Sequence, residues 1–387
     1  TMKKIAVFSG SRSEYGLLKY LLKEIQSSKY MSLNLIVSGS HLVKNYGKSI
    51  EEIKKDKIKI SKIIKFKFEK NMSEPKNMSE NMSALISNLS KYLKKNLPDV
   101  IILVGDRYET FIAAVTAVIL KIKIIHIHGG EVTYGSKDDL YRHSISKMSD
   151  YHFVSTRIYK KRLQQLGENP KNIFNVGALC NDNIKNLKNY NTKKLEKILK
   201  TNFYDYNILI AYHPETYSKK NNITEINQFL YSLGKFRNCK LFFSAPNADE
   251  NSEDIIKKIK SFCKLNKNAY YKESYGNELF LNLIKKCNLM IGNSSSGIIE
   301  APLLGRPSIN LGNRQKGRVQ SDLTLDCDMN SNKIIKKIKK ILNLRKSEIS
   351  IKKNPYYGIN VSKKIYLKLK NLDLNKKNYK IFYDIKF

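Results

Sequence analysis

The chain of 387 residues has no apolar run approaching the ~20 residues that cross a bilayer, so it offers no membrane-spanning helix and no membrane partner is expected. Cysteine is scarce. Cys180, Cys239, Cys263, Cys287 and Cys327 are scattered, odd in number and without C-x-x-C spacing. That argues against structural zinc and disulfides and for a reducing compartment, the cytoplasm. No signal peptide is expected, because Met2-Lys3-Lys4 runs directly into a strand-like segment. Acidic residues number 34 against 71 basic ones, a net charge of +37. A clustered excess of that size would suit nucleic acid. Here it is almost all lysine and evenly spread, so it reads as compositional bias, and no nucleic-acid partner is expected. Arginine is rare: of ten, Arg12, Arg107, Arg142, Arg314 and Arg318 fall inside the motifs described below. Guanidinium suits bidentate contacts to phosphate and carboxylate, so that placement is more informative than the lysine total.

What is present is a regular alternation. Strand-like runs at 5–8, 33–37, 100–104, 123–127, 151–155 and 173–176 are separated by amphipathic helical stretches, including 14–27 and 110–120. A second series follows at 208–212, 241–244, 289–291 and 308–311. Strands alternating with helices predict an α/β fold whose parallel sheets are covered on both faces. The composition divides it into two Rossmann-like domains, 1–185 and 205–365. A polar linker lies near 185–205, and a tail at 366–387 packs back on the first domain. Such domains are expected to present the C-terminal ends of both sheets to one cleft. Residues 332–369 read as mostly lysine-studded helix, and 50–80 as exposed helix and loop. The repeated Asn-Met-Ser at 71–73, 77–79 and 81–83 reads as mobile.

The motifs follow strands. Gly292-Asn293-Ser294-Ser295-Ser296-Gly297-Ile298-Ile299-Glu300 is a strand, a Gly/Ser turn and a helix start, which exposes N–H groups and hydroxyls to a phosphate. Glu300 could accept two ribose hydroxyls. Gly10-Ser11-Arg12-Ser13-Glu14-Tyr15-Gly16 lacks G-x-G-x-x-G spacing, so a dinucleotide site is not supported. It is an ordinary βα turn or one that aims Arg12 at a ligand. Gly105-Asp106-Arg107-Tyr108-Glu109 puts an acid and an arginine at the end of a buried strand, where Asp106 either caps the next helix or does chemistry. In His126-Ile127-His128-Gly129-Gly130-Glu131 the two histidines share one side of a strand; they are satisfied by core hydrogen bonds or, with acids nearby, do acid/base work, which suits them better than zinc. Asp138 and Asp139 open a helix that also holds Arg142. They complement its dipole, or crowd Glu131 and Asp106 so that carboxylates split into acid and base. His213 in His213-Pro214-Glu215-Thr216 packs in a turn, binds phosphate or carries a proton. Asn247 and Asp249 end a strand, and Arg314, Lys316 and Arg318 supply cations near the Gly/Ser turn.

Taken in order, GSRSEYG, GDRYE, HIHGGE, DDLYRHSISKMS, HPET, GNSSSGIIE and NLGNRQKGR resemble the hydrolysing UDP-N-acetylglucosamine 2-epimerases of bacterial sialic acid synthesis and their UDP-N,N′-diacetylbacillosamine relatives of legionaminic acid synthesis. The resemblance spans about residues 2 to 385. It implies a glycosyltransferase-B fold, a UDP-amino sugar in the interdomain cleft, a homodimer, and no metal or nicotinamide cofactor. It further implies that Ser294 and Ser295 hold phosphate and Glu300 ribose, with Arg12, Arg314 and His213 at the diphosphate. Asp106, Glu131 and Asp138, with His213, are implied in catalysis, and Arg107, His128, Arg142 and Asn247 in substrate binding. The implied reaction eliminates UDP to a glycal and adds water with inversion at C2, giving N-acetylmannosamine from UDP-N-acetylglucosamine. A UDP-sugar glycosyltransferase and a basic nucleic-acid-binding protein are the competing expectations.

Overall fold

Short runs of valine, isoleucine and leucine form fully buried strands, and the computed structural model arranges them in two parallel sheets. It describes residues 2–43, 49–67, 74–215, 222–246, 252–343, 353–374 and 380–385. The chain divides into two compact units: residues 1–131, 138–183 and 358–387 form one, and 132–137 with 184–357 form the other.

In the first unit the described elements are β1 (Lys3–Ser9), α1 (Arg12–Gln26), β2 (Met31–Val37), α2 (Ile50–Lys55), β3 (Ile60–Ile63), α3 (Pro75–Lys95), β4 (Val100–Val104), α4 (Tyr108–Ile119), β5 (Lys123–Ile127), α5 (Asp138–Met148), β6 (Tyr151–Val154), α6 (Arg157–Gln165) and β7 (Ile173–Asn175). Helix α7 (Cys180–Lys185) runs across the boundary with the second unit. The strand order is β3-β2-β1-β4-β5-β6-β7, all parallel. The order reverses between β1 and β4, where open parallel sheets place their ligands. Apolar residues of α1 at Leu18, Leu21, Leu22 and Ile25 pack on this sheet, 3.6-residue periodicity meeting 2-residue periodicity. A late segment completes the same core: Val361, Ile365, Tyr366 and Leu369 lie against α1 and β1, and Lys3 Nζ donates to the carbonyls of Leu369 (3.0 Å) and Lys370 (2.7 Å).

The second unit contains α8 (Thr192–Leu199), β8 (Tyr206–Ala211), α9 (Asn222–Leu233), β9 (Cys239–Ser244), α10 (Ser252–Leu265), β10 (Ala269–Lys272), α11 (Gly276–Lys286), β11 (Leu289–Gly292), α12 (Ser295–Ile298), α13 (Glu300–Leu303), β12 (Ser308–Leu311), β13 (Thr324–Cys327) and α14 (Ser331–Leu342). Its parallel order β10-β9-β8-β11-β12-β13 reverses between β8 and β11. On α14, Ile334, Ile338 and Ile341 face the core and Lys333, Lys336, Lys339 and Lys340 are exposed, so that helix's lysines form a solvated face.

Several sequence expectations need correction. The polar stretch 185–205 is not all linker, because Asn191 caps α8 through Lys194 N–H (2.8 Å) and buries Leu195 and Leu199. The Asn-Met-Ser repeats at 77–83 are helix α3, which sets Asn81 inside; residues 71–73 lie outside the described residues. Within 50–80, Ile60–Ile63 adds an edge strand that its Lys-rich sequence disguised. The tail is not one helix: α14 ends at Leu342, and α15 (Val361–Asn371) begins after Asn360 in the left-handed region at φ 51°. Gly16 is interior to α1 rather than part of a turn.

The Gly/Ser turn depends on Gly292, whose φ is +144° and where an added Cβ would come within 2.0 Å of the Ala211 carbonyl oxygen. Gly292→Ala combines forbidden backbone with a backbone clash. It is expected to cost more than about 3 kcal/mol in a urea unfolding titration.

Candidate active site

Strands β4 and β5 run side by side in parallel, with Leu103 opposite His126 and Val104 opposite Ile127. Gly105 then takes φ +80° in open space and turns the chain out at Asp106. Asp106 does not cap α4; the cap position is Arg107, without a side-chain cap bond. The Asp106 carboxylate instead meets Arg142, which donates from Nε at 3.0 Å and also from Nη2. Arg142 is 1% exposed. Its Nη1 donates to the Asp139 carboxylate and, at 3.2 Å, to the Glu131 carbonyl. One buried guanidinium thus gathers Asp106 from the end of β4, the backbone of Glu131 from beyond β5, and the first turn of α5. Asp138 opens α5 beside Asp139, half-buried, and Asp139 reaches Arg142.

His126 and His128 do not act as a pair on one strand face. Strand β5 ends at Ile127, and His128 sits at φ +67°. His126 is fully buried between Ser146 Oγ (2.9 Å) and the Gly105 carbonyl (2.8 Å), and burial pushes its pKa down to about 3. His126 is therefore neutral structural support beneath the Asp106 turn. Leu179 N–H donates to His128 Nε2 (3.3 Å), so Nδ1 carries the proton and donates to Glu131 Oε1 at 3.2 Å. Ser155 Oγ gives Oε1 a second bond at 3.2 Å. Glu131 is 2% exposed and oriented by His128. Among the described residues no group of three or more His, Cys, Asp or Glu could hold a metal ion.

Arg12 and Arg107 belong to a second acidic group at the β1–β4 switch point. Burial lowers the pKa of Arg12, opposed by the charge of Glu52. Arg107 Nε pairs with buried Glu109 at 3.3 Å. Glu14 completes a capping box with Ser11 and takes N–H donors from Gly10 (2.6 Å) and Ser11 (3.1 Å) and the hydroxyl of Thr110 (2.9 Å). Burial and then the Glu109 charge push Glu14 up to about 7. Sequence reasoning missed Glu14 and Glu109 as a buried pair, although Ser11-x-x-Glu14 is a visible capping-box signature.

In the second unit, β8 and β11 bring His213 and the Gly/Ser turn together. Asn293 grips the His213 backbone at both ends, accepting its N–H at 2.7 Å and donating to its carbonyl at 2.8 Å. Burial, reinforced by Arg314, drives His213 well below the ordinary histidine value, so it is neutral. Ser294 caps α12 and Ser295 begins it; Glu300 begins α13. The helix expected after the serines is broken at Ile299 into these two short pieces. Arg314 Nη1 and Gln315 Nε2 donate to the Asn293 carbonyl at 3.2 and 3.0 Å. Glu215, unassigned from sequence, accepts the N–H groups of Asn313 (2.7 Å) and Arg314 (3.1 Å) and so shapes the arginine loop. Of the three expected cations, Arg314 reaches the turn, while Lys316 is exposed and its carbonyl accepts Tyr134 N–H (3.0 Å). Asn247 and Asp249 lie outside the described residues.

Two parallel α/β units with polar residues at both switch points define a nucleotide-sugar enzyme fold of glycosyltransferase-B type. Residues 23–370 match the family UDP-N-acetylglucosamine 2-epimerase, and the chain is an enzyme of that family. It is 40% identical over 329 residues to the GDP/UDP-N,N′-diacetylbacillosamine 2-epimerase (hydrolyzing) of Campylobacter jejuni, covering 85% of each chain. It is 37% identical to the polysialic acid biosynthesis protein P7 of Escherichia coli, covering 99% of this chain and 98% of that one. In fold it resembles the Neisseria meningitidis UDP-GlcNAc 2-epimerase bound to UDP-GlcNAc, with a TM-score of 0.77 at 19% identity, covering 95% of this chain and 99% of that one.

Two outcomes test this electrostatic arrangement. Arg142→Met leaves two carboxylates facing a buried site without their cation and is expected to destabilise by about 3–5 kcal/mol in chemical denaturation. Glu14 has a native pKa of about 7 against an ordinary 4.5, so between those values the folded state binds a proton that the unfolded state has lost. Its contribution to stability therefore falls as pH rises through that window, by up to roughly 3 kcal/mol. Glu14→Gln keeps the cap and should flatten the fall between pH 5 and pH 8 in urea midpoints.

Proposed function

We propose that the enzyme is a hydrolysing UDP-N-acetylglucosamine 2-epimerase. The observation that carries this reading is the pair of carboxylates, Asp106 and Asp139, gathered with the Glu131 backbone around buried Arg142, on a chain of this family. Elimination needs a base at the sugar's C2 and a stabilised leaving diphosphate at C1. A carboxylate among Asp106, Glu131 and Asp138 removes the C2 proton. The C2–H electrons form the C1–C2 double bond, and the C1–O bond pair leaves with UDP. Water then adds across the glycal, its oxygen to C1 and a proton to C2 on the opposite face, which gives N-acetylmannosamine. The steps are redox-neutral and draw on no nicotinamide. Ser294, Ser295, Arg314 and neutral His213 are assigned to the diphosphate, with Glu300 on the ribose, and Arg12 as a further cation. Arg107, His128, Arg142 and Asn247 complete the substrate-binding assignment. The product class suits sialic acid-type sugar synthesis, and we read the enzyme as a cytoplasmic homodimer.

A second reading keeps the chemistry and changes the sugar to UDP-N,N′-diacetylbacillosamine. It is supported by 40% identity to the Campylobacter jejuni enzyme of that name. NMR of the reaction with each UDP-sugar in D2O separates the two readings. The true substrate should release UDP and a C2-epimerised free sugar carrying deuterium at C2, and the other should turn over far more slowly. In the same assay Asp106→Asn and Asp138→Asn should lower turnover by about a thousandfold with UDP affinity kept. Undiminished UDP release by both variants would refute the carboxylate assignment.

A further inference from the structure

Beneath the carboxylate site the first unit buries a second ionic network that the proposed reaction does not use. Glu168, just beyond α6, is almost wholly inaccessible. It accepts from His152 Nε2 at 2.9 Å and pairs with Lys380 Nζ at 2.7 Å and Lys147 Nζ at 3.1 Å. Burial alone would push the Glu168 carboxyl up, but the bonds from His152 and Lys380 outweigh it and hold it below the ordinary value. Lys380 also donates to the carbonyls of Ser149, just past α5, and, at 3.4 Å, Ser146 in its last turn, where a cation suits the helix dipole. The segment is also held just after this contact. Tyr383 N–H donates to the Gly167 carbonyl (2.9 Å), and a Cβ on Gly167 would come within 2.3 Å of the Phe382 ring.

Two links lead from this strap to the site. His152 stands opposite His126 on neighbouring parallel strands, so both side chains lie on the same face of the sheet. His126 in turn bonds Ser146 Oγ and the Gly105 carbonyl, next to Asp106. Helix α5, whose last carbonyls Lys380 holds, carries Asp138, Asp139 and Arg142 at its other turns.

We propose that Lys380 is a positioning residue of the active site: it neutralises Glu168 behind the facing His152 and His126, and holds the end of α5 so that Arg142 meets Asp106. The proposal rests on the reading of Asp106 and its neighbours as the catalytic group. His152 carries its proton on Nε2, because a carboxylate only accepts, and its buried Nδ1 has no hydrogen-bond partner among the described residues. Burial lowers the His152 pKa most; of the charged groups, Glu168 and Asp150 favour the imidazolium and Lys380 opposes it, while Lys147 on α5 pairs with the other oxygen of Glu168. His126 faces His152 from β5. Loss of Lys380 removes opposition, so His152 protonates at higher pH and places a cation against neutral His126.

The test compares Lys380→Met, Lys380→Arg and Lys147→Met. Histidine-selective 15N NMR of the full chain without substrate should show the His152 titration moved up by about one pH unit or more in Lys380→Met, and restored in Lys380→Arg. Lys147 is 43% exposed, so Lys147→Met should leave the titration near wild type. With the preferred UDP-sugar, Lys380→Met should lower kcat about tenfold with KM within about twofold, and the acid limb of its pH profile should move with the NMR titration. A Lys380→Met protein that merely melts earlier, with kcat and both titrations unchanged, overturns the proposal. If Lys380→Met fails to fold, wild-type kcat and titrations in Lys380→Arg support it, and their loss counts against it. A wild-type protein inert on every UDP-sugar would sink the proposed reaction, while the histidine titrations still decide the Lys380 linkage.

Discussion

Arg142 carries a charge where water does not reach, and a lone guanidinium there would cost several kcal/mol. Asp106 and Asp139 make its burial tolerable, and the dependence is mutual, since two carboxylates from separate elements could not converge here without it. The geometry around it follows. β4 and β5 must hold their register so that the Gly105 turn faces the Glu131 loop, and α5 must start where its first and second turns straddle the guanidinium. Neutral His126 fills the space below, joining the Gly105 carbonyl to Ser146 on α5. A charged residue in that position would compete with Arg142 for the same acids, and burial holds His126 neutral.

The two units solve different electrostatic problems with one topology. In the first unit acids are collected and balanced by Arg12 and Arg107 at the β1–β4 crossover and by Arg142 beside it, at the ends of β4 and β5. At the β8–β11 crossover the described residues of the Gly292–Gly297 turn include no acid. Asn293 ties the His213 backbone in place, and Arg314 and Gln315 converge on the Asn293 carbonyl. The loop bearing Arg314 is shaped from behind by Glu215, whose oxygen leaves no room for a side chain at Gly312. Residues 132–137, between Glu131 and Asp138, belong to this second unit: Gly135 lies so close that a Cβ would meet the Asn313 backbone at 2.7 Å.

Much of this was legible in the residues. Buried parallel strands are near-continuous apolar runs, so β4, β5 and β12 were readable almost to the residue. Polar residues at their C-terminal ends marked Asp106, Glu131, His213 and the serine turn. Strands β3, β10 and β13 were not readable, because Ile60-Ser61-Lys62-Ile63, Ala269–Lys272 and Thr324–Cys327 are short and polar, and all three are sheet edges with one neighbour. Period-2 reasoning failed at His128 because the strand had already ended and the backbone had turned left-handed. The Arg142–Asp106 pair spans 36 residues and the Lys380–Glu168 pair over 200; no local spacing encodes such contacts.

The first unit's core contains Val361, Ile365, Tyr366 and Leu369, some 180 residues after the last of its earlier segments. A ribosome adds residues one at a time, so β1 to β7 emerge long before the helix that covers α1 exists. During that interval the apolar flank of α1 is open, and Lys3 lacks the carbonyls it will bind. The usual order, in which the N-terminal domain finishes first, cannot hold here. The second unit can close its own sheet while the first still waits for its last helix, which makes the half-built first unit the form of this protein most exposed to chaperones and proteases.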